Sequence, residues 1–329
     1  MHEARTLLDA ARLLSPAAGA LATVVGLCGS GYRRPGARLL AAQDGRLVGG
    51  ISGGCLEADA LEHAREVMAE GRARLVTYDT TDPLDVLLGV GLGCEGVLEV
   101  VIEPLASPSC QAFLAAWEET LAGAGPLAHQ LDPRGRRRLA RGGRELWCDA
   151  GFAPADAFEE ILLPPPALWI CGAGLDAPPM AALALAQGYA VTVLDHRPAY
   201  ARPERFPGCR VRGAVPGEER AAAVLLMTHH FEADRGWLAR FLPEAPAYLG
   251  LLGPRRRARR LLDELGIAGW PRELHAPMGL DLGAETPAEI ALATLAEVRQ
   301  VLAGRSGASL RARDGGIHAA AHPDRIPTP

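Results

Sequence analysis

The chain contains no lysine and no asparagine, and all of its 34 positively charged side chains are arginine. The missing lysine excludes a Walker A phosphate-binding lysine, a Schiff-base lysine and a pyridoxal anchor. It also removes the tyrosine–lysine pair of short-chain dehydrogenase chemistry. The missing asparagine excludes N-linked glycosylation and the Asn-Gly hairpin turn. A lysine-free chain rich in alanine, arginine, glycine and proline points to GC-rich coding rather than to selection at particular sites. Any anion such a chain binds is met by arginine or by backbone N–H groups. The seven cysteines, Cys28, Cys55, Cys94, Cys110, Cys148, Cys171 and Cys209, are widely spaced and form no C-x-x-C pair. That excludes a zinc knuckle or a thioredoxin-type site and suggests reduced, mostly buried thiols, with no metal site. No stretch approaches the ~18 consecutive apolar residues of a membrane span. The opening MHEARTLLDAARLL lacks the basic and apolar regions of a signal peptide. A cytoplasmic protein without membrane contact is expected. A net charge of −5 argues against a nucleic-acid partner.

What is present is ample core material: 329 residues, 49% of them hydrophobic and only 22% charged, enough for two domains. Residues 4–15 read as a helix and Leu21–Cys28 as a strand. Arg38–Ala42 and Arg46–Gly49 form a hairpin around Asp44-Gly45. From Leu56 the apolar residues Ala60, Leu61, Ala64, Val67 and Met68 share one helical face, which Gly71 closes. Arg74–Tyr78 and Val97–Ile102 are strands flanking a glycine-rich loop. Residues 1–163 thus form an α/β (α+β) domain. Its connecting region 106–163 has a helix at Gln111–Leu121. A cluster of Arg134, Arg136, Arg137, Arg138, Arg141 and Arg144 follows, read as the solvated outer face of a hairpin in preference to a dedicated binding patch.

Pro164-Pro165-Pro166 marks the linker. Beyond it the pattern becomes regular β-α-β, which predicts a Rossmann-like, doubly wound parallel sheet over 164–303. Strands are expected at 167–171, 190–194, 222–227 and 248–252, and helices at 178–187, 233–242 and 254–265. Thr286-Pro287-Ala288-Glu289 is a capping box that opens a last helix. The aperiodic tail 304–329 reads as disordered.

Two segments match G-x-G-x-x-G. Gly91–Gly96 is followed by a strand rather than a helix and fails as a dinucleotide fingerprint. Gly172-Ala173-Gly174-Leu175-Asp176-Ala177 follows a strand and opens a helix, with Ala177 as the small third residue. Asp195 ends the next strand, where a carboxylate would accept bonds from a ribose hydroxyl, and Arg197 suits a 2′-phosphate. Gly172, Gly174, Ala177 and Asp195 are therefore candidate contacts for NAD or NADP.

Three loops of the first domain carry anion-binding chemistry. Ser52-Gly53-Gly54-Cys55 lies at a helix start. It is read either as an oxyanion site, with Cys55 in the first turn gaining thiolate character, or as a tight turn with a buried cysteine. Ser30-Gly31-Tyr32-Arg33-Arg34-Pro35-Gly36 offers two arginines, either as a phosphate clamp or as solvated charges. The 89–96 loop offers a backbone nest containing Gly93 and Cys94.

Together these segments resemble the xanthine dehydrogenase accessory family (XdhC/CoxI type). The resemblance rests on SGYRRPGARLL, GGISGGCLEAD, TYDTTDP, GLGCEGVLEVVIEP, GAGLDA, VLDHRP, MTHHFEAD, YLGLLGPRRR and LHAPMGLDLGAETPAEIALA, in that order along the chain. It implies a non-catalytic maturation factor that binds molybdenum cofactor (molybdopterin), protects it, supports its sulfuration by a cysteine desulfurase and inserts it into an apo molybdenum hydroxylase such as xanthine dehydrogenase. A homodimer is expected. The family's signature positions fall here on Arg34, Gly36, Ser52, Gly53, Gly54, Cys55, Glu57, Gly93 and Cys94, with Arg33 beside them. Cys55 and Cys94 are the candidates for handling sulfur. Two other readings compete: an NAD(P)-dependent oxidoreductase using Gly172–Ala177, and a non-catalytic interaction scaffold.

Overall fold

In β1 (Gly19–Gly29), Ala20, Ala22 and Val24 alternate with Leu21 and Thr23, and all five are buried. A strand that is apolar on both faces belongs in the middle of a covered sheet. The computed structural model, which describes residues 2–79, 96–215, 217 and 219–312, places it there. With β2 (Arg38–Ala42), β3 (Leu47–Gly49), β4 (Arg74–Asp79) and β5 (Gly96–Pro104), it forms an antiparallel sheet ordered β3-β2-β1-β5-β4. Ala20, Ala22 and Val24 pack in one cluster with Ala60, Ala64 and Val67 of α2 (Glu57–Glu70). Leu21 packs on the other side with residues of α1 (His2–Leu13) and α3 (Pro108–Leu121). Gly71 ends α2 in the left-handed region at φ +66°, its N–H bonded to the Val67 carbonyl, as the sequence predicts.

The connecting region 106–163 holds a second antiparallel sheet. It comprises β6 (Leu127–Leu131), β7 (Arg137–Arg141), β8 (Arg144–Cys148) and β9 (Phe158–Leu162), ordered β8-β7-β6-β9. The arginine cluster is not uniformly a solvated face. Arg134, Arg138 and Arg144 are exposed, but Arg137 is completely buried. Strand alternation turns Arg137 inward, where it pairs with the buried Glu103 of β5 and donates to the Ser109 carbonyl at 3.1 Å. Burial pushes the Glu103 carboxyl up, against the pull of Arg137. Arg136 pairs with Asp132 at 2.8 Å and Arg141 with Glu119 at 2.7 Å.

The chain divides between Pro165 and Pro166 into two compact units. The second is built on β10 (Ala167–Cys171), β11 (Ala190–Leu194), β12 (Arg210–Arg212), β13 (Ala223–Leu226), β14 (Tyr248–Leu251) and β15 (Leu274–His275). All pairs are parallel, in the order β12-β11-β10-β13-β14-β15. This is the doubly wound Rossmann order, with its switch point between β10 and β13. Residues of α4 (Ala177–Ala186) and α7 (Pro287–Leu302) join one core cluster; those of α5 (Phe231–Phe241) and α6 (Arg255–Glu264) join the other. The capping box of α7 is formed: Thr286 Oγ1 accepts from the Glu289 N–H at 3.4 Å, and the Glu289 carboxylate accepts from the Thr286 N–H at 2.9 Å. Among the described residues no helix is long and apolar enough to cross a membrane.

Candidate functional site

At one end of the first sheet, Gly29 of β1 pairs with Gly96, and Asp79 of β4 pairs with Val97. The loops 30–37 and 50–56 leave from this end, as do both ends of the segment 80–95. Gly93 and Cys94 lie in that segment, outside the described residues. Gly96 allows the close approach on which this end depends. A Cβ there would lie 2.8 Å from the Cys28 carbonyl oxygen and nearer still to that of Ser30. Leu27, Tyr32, Arg33, Gly53, Cys55 and Leu98 line a shallow groove here.

The loop 50–56 is shaped by Glu57. Its carboxylate accepts from the N–H groups of Ile51 at 3.1 Å and Ser52 at 2.8 Å, and from the Ser52 hydroxyl. The Ser52 Oγ in turn accepts from the N–H groups of Gly54 at 3.2 Å and Leu56 at 3.1 Å. Partial burial disfavours the Glu57 charge, but the Ser52 hydroxyl and the Ser52 and Ile51 amides outweigh it and hold the carboxyl below the usual range. Ser52 and Glu57 therefore organise the loop and are themselves occupied. The amides of Gly53 and Cys55 have no partner among the described residues. Gly54, at φ +114°, lets the chain turn between them.

Two expectations change here. Cys55 precedes the helix, which begins at Glu57 with Leu56 as its cap, rather than sitting in its first turn. Its thiol is also exposed, which removes the buried-cysteine alternative. Arg33 is not available as a clamp: Nε donates to the Gly50 carbonyl at 3.1 Å, and the guanidinium pairs with Glu3. It ties the loop 30–37 to the loop 50–56. Arg34 is exposed, and its side chain has no partner among the described residues. Gly36 supports the loop. It sits at φ +92°, its carbonyl accepts from Arg38 at 2.9 Å, and a Cβ would come within 2.9 Å of the Glu160 carboxylate of β9. Glu160 also pairs with Arg38 and with His129 Nδ1, so the second sheet buttresses this loop. Tyr32, to which the sequence assigns no role, is 69% exposed with its ring over Gly53. Its place in SGYRRPG, between glycine and the arginines, is the signal that could have marked it.

In the second unit, Gly172 follows β10 at φ +113°. A Cβ there would fall 2.7–2.8 Å from the backbone of Met227 and Thr228. Gly174 carries its carbonyl to Arg205 at 3.2 Å, and Ala177 is buried as the first residue of α4. Asp195 is 5% exposed. It accepts from the Ala173 N–H at 2.8 Å, from the Arg197 N–H and Nε at 2.9 Å each, and from Arg197 Nη2 at 2.7 Å. Burial works against its charge, but the Arg197 fork and these amides win and bring its pKa to about 2. A crevice of about 260 Å³ opens beside it, lined by Leu194, Arg197, Thr228, His230, Ala233 and Trp237 among others. Crevices at the carboxyl ends of parallel strands near a switch point are where such folds bind ligands.

Comparison with known proteins agrees along the chain. The family model for the XdhC and CoxI family matches residues 13–79, and that for the XdhC Rossmann domain matches residues 168–298. A probable xanthine dehydrogenase subunit of Bacillus subtilis is 29% identical over 326 residues, covering 91% of this chain and 98% of that protein. The molybdenum cofactor insertion chaperone PaoD of Escherichia coli is 31% identical over 306 residues, covering 90% and 88%. A crystal structure of a xanthine dehydrogenase from Bacillus halodurans matches with a TM-score of 0.80 at 29% identity, over 94% of this chain and 98% of that one. By sequence and by fold, this chain belongs to the XdhC and CoxI family.

Proposed function

We propose that this protein is a molybdenum cofactor maturation factor. In this reading it binds the cofactor at the loop end of the N-terminal sheet, protects it, supports its sulfuration and hands it to an apo molybdenum hydroxylase such as xanthine dehydrogenase. The relatives support it: one is named a molybdenum cofactor insertion chaperone and another is named as part of a xanthine dehydrogenase. The observation that carries it is the set of uncommitted groups on the two loops, 30–37 and 50–56, that leave the same end of the sheet. Among the described residues neither the Arg34 guanidinium nor the amides of Gly53 and Cys55 have a partner, and the Cys55 thiol is exposed.

The cargo is a pterin that carries a phosphate and a dithiolene-held metal. Free amides in the loop that leads into α2 and an arginine suit the phosphate, because both offer hydrogen-bond donors. The acidic Glu57 and Asp59 of the first turn of α2 add negative charge nearby, which leaves Arg34 as the uncommitted cation of the loops 30–37 and 50–56. The Tyr32 ring offers an aromatic face to the planar cargo. Cys55, set beside these free amides, supplies the sulfur-handling thiol, with Cys94 as its candidate companion. A cysteine desulfurase as sulfur source, a homodimeric assembly and a cytoplasmic setting belong to the same proposal. The test is reconstitution of a molybdenum hydroxylase from its apo form with purified cofactor. Arg34→Ala and Cys55→Ala are expected to lower the recovered activity at least tenfold without changing the fold. Recovery equal to wild type in both variants removes this site from the reaction.

A further inference from the structure

A dinucleotide in a doubly wound fold anchors at two points. Its diphosphate lies on the glycine turn and the amides that start the next helix. Its ribose hydroxyls donate to the carboxylate that ends the second strand. In this chain both points are occupied by the protein's own side chains. Asp176 caps α4 by position, without a capping bond from its side chain. Its carboxylate is held by His229 Nε2 at 2.8 Å, so a negative charge already stands where a phosphate would enter. His229 makes this contact from the left-handed region at φ +58°, an uncommon conformation for a residue other than glycine. Pro178 and Pro179 follow in the first turn of α4 and carry no N–H, which removes two of the donors an anion would use. At the second anchor, Asp195 has two oxygens and four donors already on them, from Ala173 and from the backbone and fork of Arg197. A carboxylate has about four lone-pair sites; none is left for a ribose.

We propose that the C-terminal Rossmann unit of this protein is closed to nicotinamide dinucleotides by its own side chains: Asp176 with His229, Pro178 and Pro179, and Asp195 with Arg197. Asp176–His229 joins the loop after β10 to the loop after β13. Asp195, with Arg197, joins the loop after β11 to the glycine turn, and Arg205 closes on that turn through the carbonyls of Ala173 at 2.8 Å and Gly174 at 3.2 Å. The charges that would recognise a dinucleotide serve as staples between loops. The crevice beside them persists, but without its diphosphate and ribose anchors.

Calorimetric titration of the full chain with NAD+, NADH, NADP+ and NADPH, each to about 1 mM, tests this. No saturable binding is expected for any of the four. Saturable binding of any one within that range overturns the proposal. A second arm uses the variant Asp176→Gly/Pro178→Ala/Pro179→Ala/Arg197→Ala, checked for folding by circular dichroism. It removes the two Arg197 side-chain bonds from Asp195 and restores the amides, so it is expected to bind NAD+ saturably within the same concentration range. A folded variant that gains nothing shows that these side chains are not the barrier and also overturns the proposal.

Discussion

Replacing Glu57 by alanine removes the acceptor that organises the loop 50–56. Its carboxylate receives the Ile51 and Ser52 amides and the Ser52 hydroxyl. Hydrogen bonds to a charged group contribute about 1.5–3 kcal/mol each when buried. This carboxyl is only partly buried, so water recovers much of that value, and a net local loss of about 2 kcal/mol is expected. Glu57→Gln keeps one acceptor oxygen and is expected to lose about half as much. Amide hydrogen exchange reads the effect residue by residue: about 2 kcal/mol corresponds to roughly 30-fold faster exchange at Ile51 and Ser52. The pH dependence has a definite sign. The folded carboxyl lies below its ordinary value. Its contribution is therefore present above the unfolded pKa of about 4.3 and is lost as pH falls through the folded value. The alanine variant lacks this acid-side loosening. Unchanged exchange at both amides in Glu57→Ala would refute the claim that this side chain shapes the loop.

Arg137→Met removes the ion pair of the buried Glu103 and is expected to cost about 3–5 kcal/mol in denaturant unfolding of the N-terminal unit; Glu103→Leu/Arg137→Met should regain most of it. Gly96→Ala forces a Cβ into the backbone of Ser30 and Cys28, with an expected loss of about 1–3 kcal/mol and increased protease nicking near residue 30. Gly172→Ala meets both a positive φ and the Met227 backbone, so it should lower the melting transition of the C-terminal unit while leaving that of the N-terminal unit in place.

The parallel sheet was legible in the sequence because buried strands such as ALWIC and AVTVL are continuous apolar runs set off by glycine turns. The capping box at Thr286 was equally plain, since its two hydrogen bonds are local. β12 and β15 escaped because three and two residues carry no periodicity. The second antiparallel sheet was hidden by its arginines. Arg137 is inside only because Glu103, 34 residues earlier in the chain, waits there, and a pairing at that range leaves no local trace. The candidate site divides the same way. The motifs located its loops, but not which side chains were already in use. Arg33, Ser52, Glu57 and Asp195 carry the right chemistry and spend it on the protein. Arg34, Cys55 and the amides of Gly53 and Cys55 remain, and that distinction depends on contacts with Glu3, Gly50 and Arg197 that spacing does not encode.

The central claim is that the N-terminal loop end holds the molybdenum cofactor. The most direct measurement is equilibrium dialysis of purified molybdopterin cofactor against the full chain, with mass spectrometry of the retained fraction. Wild-type protein is predicted to retain cofactor in a stoichiometric ratio, and the Arg34→Ala/Cys55→Ala variant, folded as judged by circular dichroism, to retain at least tenfold less. Equal retention by the two proteins, or none by wild type, would contradict it.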